Sequence, residues 1–224
     1  MKPVILIGGG SSIKSEADNG LWEKIQGKAE IWSINFAYKF LPYLPQRQIW
    51  MDTTFFKNYI EDLQKLSQAG VKLCTMKHPL YNSAIYKDKI EQYEVTRISN
   101  YDEFKKAVFA SQGLSGCFAM SLAVKEGYDP IYLLGFDYGT TTFDNKTTHF
   151  YQDKVKDAKI QSAGIANTEV YLQRNNIPQP FVIDYEIFKK FPNKIVNVSI
   201  NSNLSSFEKI GYPEFFERLM NERQ

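Results

Sequence analysis

The sequence of 224 residues predicts an α/β fold in which a mostly parallel sheet is covered by helices on both faces. Two observations carry this prediction. Short apolar runs alternate along the chain with longer amphipathic segments, as they do in β-α-β units. The first run, residues 4–7, is apolar at every position and is followed at once by glycines, which is typical of a parallel strand buried on both faces.

The elements follow one another in a regular order. Strands are predicted at residues 4–7, 30–35, 47–52, 71–76, 130–137 and 195–200. Helices are predicted at residues 21–25, 53–69, 113–127, about 155–175 and about 213–220. The helix at 53–69 has start and stop signals, because Thr53 or Thr54 can cap it and Gly70 ends it. Residues 79–101 lack a clear period and are expected to form a flap or lid of one domain, 1–224.

The composition is that of a globular protein and does not indicate nucleic acid as a partner. Hydrophobic residues make up 43% of the chain and charged residues 23%, within the usual range of folded domains. The net charge of +2 is far from the strong positive charge of most nucleic-acid-binding domains. Cys74 and Cys117 lie in apolar stretches without a CxxC or Cys/His cluster, so neither zinc nor a disulfide framework is expected.

No segment of the sequence predicts export or membrane insertion. Residues 1–3 lead directly into the first strand and the glycines after it. This segment is too short and wrongly flanked for a signal peptide. No apolar run approaches the roughly 20 residues needed to span a bilayer. We therefore expect a cytoplasmic protein.

Polar residues and glycines follow the predicted strands at the point where each strand ends. The carboxyl ends of parallel strands lie along one edge of a sheet, and ligands bind there at the topological switch point. The residues at these ends are Gly8 to Ser12, Asn35, Asp52, Asp137 and Asn201. This edge is therefore the predicted ligand site.

The turn from Gly8 to Ser12 is the first candidate for binding a phosphate. Gly8, Gly9 and Gly10 let the backbone pass close to a ligand, and the amides and hydroxyls of Ser11 and Ser12 can donate hydrogen bonds. The turn matches neither GxGxxG nor the P-loop pattern. From its residues alone it could equally be a flexible strand-helix turn.

Four other residues have two interpretations each. Asn35 can hydrogen-bond a base or ribose, or can hold the turn after its own strand. Asp52 and Asp137 can each bind Mg²⁺ or a sugar hydroxyl, or can cap the next segment. His149, in the polar loop after Asp137, can act as a general base because imidazole titrates near neutrality, or can be structural.

Several segments together resemble one superfamily. It joins the bacterial sialyltransferases that use cytidine-monophosphate sialic acid to the 6-hydroxymethylpterin diphosphokinase-like proteins, which include many phage proteins. The matching segments are residues 4–12, 33–35, 115–116, 127–137 and 148–151. The most specific is the block from Gly127 to Asp137, with the pattern Gly-Tyr-x-x-Ile-Tyr-Leu-x-Gly-x-Asp. The resemblance covers most of the chain and implies a Rossmann-like fold.

The resemblance also implies a nucleotide site and a catalytic base. In the sialyltransferases the glycine-rich turn and the asparagine hold the nucleotide, a Ser-Gly pair lies near the donor, and a histidine deprotonates the acceptor hydroxyl. Carried over, this implies His149 as the base. It implies nucleotide binding by Gly8, Gly10, Ser11, Ser12, Asn35, Ser115 and Gly116. Their positions at strand ends add Gly9, Asp52 and Asp137 to the candidate nucleotide site.

Two positions depart from the sialyltransferase pattern. Gly139 stands where the first of two tyrosines that assist phosphate departure is expected, and Tyr138 or Tyr151 could substitute for it. Gln112 stands where an arginine meets the acceptor. These departures argue against sialic acid as the transferred group but not against a nucleotide donor.

Three functions remain as expectations. The first is a nucleotide-dependent transferase, a glycosyltransferase with a CMP-sugar type of donor, a glycan or small-molecule acceptor and no required cofactor. Its catalytic candidates are His149, Tyr138 and Tyr151. The second is a 6-hydroxymethylpterin-type diphosphokinase with Mg²⁺ on Asp52 or Asp137. The third is a phage accessory protein that binds a nucleotide without catalysis.

Overall fold

An eight-stranded sheet in which every neighbouring pair of strands is parallel forms the centre of the fold. The computed structural model describes residues 2–83, 86–96, 101–106, 108–109, 114–137, 187–191, 193–202, 204 and 206–221. Within these ranges the strands are β1 (Val4–Ile7), β2 (Glu30–Ile34), β3 (Arg47–Trp50), β4 (Lys72–Met76), β5 (Ile90–Tyr93), β6 (Val95–Thr96), β7 (Val108–Phe109), β8 (Ile131–Leu134), β9 (Ile195–Asn197) and β10 (Glu208–Lys209). Strands β6 and β7 form a separate parallel pair.

Helices precede or follow most of the sheet strands. In the same ranges the α-helices are α1 (Lys14–Asp18), α2 (Leu21–Ile25), α3 (Thr53–Gln68), α4 (Tyr101–Phe104), α5 (Ser115–Lys125) and α6 (Tyr212–Asn221). Short 3₁₀ turns occupy Ser11–Ile13, Asn35–Phe40, Pro79–Asn82 and Ile187–Lys190.

The order of the strands reverses at β1. The sheet runs β10-β9-β8-β1-β2-β3-β4-β5, so the chain moves outward from β1 to β5 on one side and resumes at β8 on the other. Ile7, the last residue of β1, pairs with Ser33 of β2 and with Leu134 of β8. The carboxyl end of β1 is therefore the topological switch point, where ligands bind in open α/β sheets.

Two apolar clusters cover the two faces of the sheet. On one face Ile5 and Trp50 pack with α2, α3 and α6. On the other face Leu6 and Trp32 pack with α5, in which residues 116–124 are all buried. The predicted Rossmann-like α/β fold, with a mostly parallel sheet and helices on both faces, is confirmed.

Several local expectations differ from the structure. Helix α3 is capped by Asp52, whose Oδ1 accepts a hydrogen bond from the amide of Thr54 at 2.7 Å; this confirms the capping interpretation of Asp52 and not a cap at Thr53 or Thr54. Residues 90–93, inside the expected flap, form β5 and pair with β4. The strand predicted at 195–200, β9, ends at Asn197. The strands predicted at 47–52 and 130–137 likewise end early, at Trp50 and at Leu134. The flap as a moving part stays a prediction, and the helix predicted at 155–175 lies outside the described residues.

The turns after β1 and β8 contact each other backbone to backbone. The amide of Gly8 donates to the carbonyl of Leu134 at 2.8 Å, and the amide of Gly10 donates to that of Gly135 at 2.9 Å. A Cβ atom on Gly8 or on Gly10 would lie 2.7 Å from the Gly135 oxygen, closer than real contacts allow. Gly135 itself has a φ of +71°. The glycines are needed because no side chain fits between the two turns.

An ion pair at the opposite end of the sheet fixes α5 to β3. The guanidinium of Arg47, which is 6% exposed, donates to both carboxylate oxygens of Glu126, and the Nη1–Oε1 distance is 2.7 Å. Its centre lies 4.4 Å from the centre of the Trp32 ring. Bidentate pairing of this kind orients both groups. Glu126 follows directly after the last residue of α5, so the pair holds the carboxyl end of that helix.

We expect Gly10→Ala to destabilise the fold. Gly10 has an ordinary φ of −61°, so the cost is steric: the new methyl would lie 2.5 Å from Oδ2 of Asp137. A loss of about 1–3 kcal/mol in the free energy of unfolding is expected, measured by urea denaturation. Gly211→Ala is the control, because its Cβ would meet the movable end of the Ile200 side chain at 3.2 Å and the Pro213 ring at an ordinary 3.6 Å. Equal effects of the two substitutions would contradict the close-contact interpretation.

The two partners of the α5 ion pair should differ in their effect on stability. Glu126→Ala leaves the buried Arg47 charge unpaired and is expected to cost about 3–5 kcal/mol. Arg47→Met keeps the stem against Trp32 and leaves a Glu126 side chain that is 31% exposed and can be hydrated, so about 1–2 kcal/mol is expected. Urea denaturation of both variants measures the order, and a larger effect of Arg47→Met would refute this account.

Candidate functional site

The candidate site is the edge of the sheet formed by the carboxyl ends of β2, β1 and β8. The turn from Gly8 to Ser12 follows β1, Asn35 follows β2 and Asp137 lies three residues after β8. Ser115 reaches the same edge as the first residue of α5. The structure thus brings together the predicted candidates at residues 8–12, 35, 115–116 and 137.

Asp137 ties the two turns together. Its Oδ2 accepts a hydrogen bond from the Ser12 amide at 2.8 Å, and its Oδ1 accepts one from the Ser12 hydroxyl at 2.5 Å. The residue is 4% exposed. Hydrogen bonds to a carboxylate are stronger than those between neutral groups. Asp137 therefore holds the start of the 3₁₀ turn at Ser11–Ile13, whereas the segment after Asp137, which it was predicted to cap, lies outside the described residues.

Several amides of the glycine turn already have partners. Those of Gly8 and Gly10 donate to β8 and the turn after it, and that of Ser12 donates to Asp137. In this conformation these three amides cannot donate hydrogen bonds to a phosphate. Phosphate binding by the amides of Gly8, Gly10 and Ser12, which the sequence suggested, is therefore excluded for this conformation. Its contribution to a site is the close backbone approach that glycines permit.

Asn35 and Ser115 meet although 80 residues separate them in the chain. The Ser115 hydroxyl donates to Oδ1 of Asn35 at 3.3 Å. Asn35 adopts a left-handed conformation with φ +52°, which asparagine tolerates better than most residues. Its backbone carbonyl accepts a hydrogen bond from Nε2 of Gln48 at 2.8 Å. Both side chains are partly exposed, so this pair is accessible from solvent.

The amino end of α5 adds positive potential beside this pair. Within residues 114–125 the first turn carries no acidic residue and no side-chain cap hydrogen bond. The unpaired amides of a helix start form the positive end of its dipole and attract anions. Gly116 is buried in this first turn. Ser115 therefore combines a hydroxyl group with a helix end that suits a phosphate.

Asp52 does not belong to the same cluster. It is exposed at the carboxyl end of β3 and caps α3. Three strand spacings separate β3 from β8, about 14 Å at roughly 4.8 Å per strand. Asp52 and Asp137 therefore cannot share one metal ion. Across the described parts of the chain, no group of three or more His, Cys, Asp or Glu side chains could hold a metal.

Sequence reasoning missed three residues that surround Asp137. The Ser202 hydroxyl and the Asn197 amide both donate to the carbonyl of Phe136, at 2.7 and 3.1 Å. Asn197 stands at the true end of β9, where the longer predicted strand had placed Asn201. Correct strand bounds would have found Asn197 by the same strand-end rule. These contacts fix the peptide that carries Asp137.

Tyr212, the first residue of α6, is the third residue near Asp137 that the sequence did not indicate. Its hydroxyl is buried and has no hydrogen-bond partner among the described residues. Burial raises the pKa of Tyr212 above its usual range, and the negative charges of Asp137 and Glu16 raise this pKa further. The Tyr212 hydroxyl is therefore a neutral donor near Asp137. No pattern in the sequence distinguishes it from the other tyrosines.

The remaining predicted residues lie outside the described part of the chain. They are Tyr138, Gly139, His149, Tyr151 and Gln112. The assignment of His149 as base stays a prediction. No helix in the described ranges is long and apolar enough to cross a membrane.

Comparison with known proteins links this chain to one kind of fold. No protein-family model matches the chain, and no curated protein matches it significantly. Among solved structures, the chain is similar to the crystal structure of the sialyltransferase CST-II in complex with a trisaccharide acceptor and CMP. The alignment has 18% identity, covers 94% of this chain and 86% of that chain, and has a TM-score of 0.50. The chain therefore has a sialyltransferase-like fold.

Proposed function

We propose that the protein is a glycosyltransferase that uses a nucleotide-activated sugar of the CMP-sugar type, without a required metal. The observation that carries this proposal is the contact between Asn35 and Ser115 at the carboxyl end of β2, beside the switch point of the sheet. It joins an amide that can read a base or ribose to a hydroxyl at a helix amino end that suits a phosphate. The likeness to a protein crystallised with CMP supports the nucleotide class.

The proposed reaction transfers the sugar from phosphate to an acceptor hydroxyl. His149 takes the proton of that hydroxyl as general base, and the oxygen attacks the anomeric carbon of the donor. The bond from this carbon to the phosphate oxygen breaks, and the nucleoside monophosphate leaves with the electron pair. The amino end of α5 stabilises the charge that grows on the phosphate. Tyr138 or Tyr151 donates a hydrogen bond to the same phosphate.

The acceptor is a glycan or a small molecule with a free hydroxyl, and a cytoplasmic location belongs to the same proposal. Electrostatic stabilisation by the amino end of α5, rather than by a bound cation, is part of the same proposal. Asp137 acts indirectly by holding the glycine turn.

Nucleotide binding should depend on the Asn35–Ser115 pair. We expect Asn35→Ala and Ser115→Ala each to weaken CMP binding about 5- to 30-fold, the value of one hydrogen bond to a ligand. Isothermal titration calorimetry measures the dissociation constants, with UMP, AMP and GMP tested in parallel. The matched controls are Asn58→Ala and Ser67→Ala on α3, which should bind CMP as the unchanged protein does. Failure of the unchanged protein to bind any of the four nucleotides would refute the proposal.

Transfer should depend on His149. We expect His149→Ala to lower the rate of sugar transfer or donor hydrolysis by about 10²–10⁴-fold, because a general base is lost, with CMP affinity within about twofold. A panel of nucleotide sugars, assayed with and without EDTA, provides the measurement.

His78 supplies the matched control for that assay. Its Nδ1 accepts a hydrogen bond from the amide of Leu80 at 3.1 Å, which gives it a structural role. His78→Asn keeps an acceptor there and should leave the rate unchanged. An undiminished rate in His149→Ala would remove the base assignment. Conversion of ATP to AMP that requires Mg²⁺ would favour the diphosphokinase instead.

A further inference from the structure

Gln48, in the middle of β3, is fully buried, but only one of the two polar atoms of its side chain has a hydrogen-bond partner among the described residues. Its Nε2 donates to the backbone carbonyl of Asn35 at 2.8 Å. Its Oε1 has no hydrogen-bond partner among the described residues. An unpaired buried oxygen lowers stability, and an apolar side chain of similar length would avoid that cost. Stability alone therefore does not explain a glutamine between Arg47 and Ile49.

The residue that Gln48 contacts has an unusual backbone conformation. Asn35 has a φ of +52°, a region that costs free energy for any residue with a Cβ atom. Such conformations persist only where the surroundings hold them. The bond from Gln48 reaches the carbonyl of Asn35 itself and so fixes the peptide plane that follows it.

The consequence of this conformation lies at the proposed nucleotide site. With its backbone held, Asn35 directs Oδ1 to the Ser115 hydroxyl at 3.3 Å. A more extended conformation at residue 35 would change the direction of its Cα–Cβ bond relative to Ser115. The unpaired amide oxygen of Gln48 and the left-handed backbone of Asn35 both lower the stability of the fold. Both belong to the arrangement that places the Asn35 side chain.

We propose that Gln48 is a positioning residue, which holds Asn35 in its left-handed conformation and thereby sets the Asn35–Ser115 pair for the nucleotide. Gln48 does not touch the ligand and acts only through Asn35. This inference rests on the proposed function for its link to CMP, while the effect on Asn35 itself does not require any ligand.

Ser33 is a matched control that the fold provides. It is the register partner of Gln48 on the neighbouring strand, so both side chains lie on the same face of the sheet. Ser33 is also fully buried, and its hydroxyl has no hydrogen-bond partner within the described ranges. Ser33→Ala removes a buried polar atom at the same depth without removing a bond to Asn35.

The first arm of the experiment uses no ligand. The backbone ¹³C chemical shifts of Asn35 are measured by NMR in the unchanged protein, in Gln48→Met and in Ser33→Ala. Gln48→Met should move these shifts away from left-handed values, and Ser33→Ala should not. Gln48→Asn, which keeps the amide but shortens its reach, should act as Gln48→Met does and replaces it if that variant does not fold. Unchanged Asn35 shifts in a folded Gln48 variant would overturn the inference.

The second arm measures CMP affinity in a double-mutant cycle. Gln48→Met should weaken binding about tenfold in the unchanged background and should have no further effect when combined with Asn35→Ala, because Gln48 acts through Asn35. Additive losses would overturn the inference. If the unchanged protein does not bind CMP, the proposed function fails, while the NMR arm still decides whether Gln48 positions Asn35.

Discussion

The close contact between the turns after β1 and β8 is the constraint on which the rest of the site depends. Gly8 and Gly10 lie against the carbonyl of Gly135, with no space for a Cβ atom between them. The contact brings Ser12 within reach of both oxygens of Asp137. Because β1 and β8 are neighbours at the switch point, one glycine-lined contact determines how the central strands present their ends to a ligand.

Helix α5 connects the stability of the fold to the proposed chemistry. Its carboxyl end is held by the Arg47–Glu126 ion pair, and its amino end carries Ser115 beside Asn35. A helix buried along residues 116–124 behaves as a rigid element, so the ion pair at its carboxyl end also constrains where Ser115 lies at its amino end. Strand β3 contributes both Arg47, which holds α5, and Gln48, which donates a hydrogen bond to Asn35. Both members of the Asn35–Ser115 pair are therefore supported from one strand.

Much of the fold could be predicted because burial patterns and turn residues act locally. The helix predicted at residues 53–69 follows from its apolar spacing. Asp52 rather than a threonine caps it, because both residue types can accept the same amide hydrogen bond. Strand β5 was missed because it is the edge strand of the sheet and its residues 91–93 are exposed or partly exposed. An edge strand of this kind lacks the continuous apolar run that marks the buried strands.

The chain's own pattern was sufficient for the α/β class, for the glycine turn and for the rule that ligands meet strand ends, because these depend on neighbours a few residues apart. The resemblance placed Asn35 and Ser115 in one site, but their contact required the packing of α5 on the sheet. The hydrogen bonds between Ser12 and Asp137, and the distance between Asp52 and Asp137, could also be known only from the strand order. The same is true of the bond from Gln48 to Asn35. These are contacts between distant parts of the chain, and local periodicity carries no information about which distant residues meet.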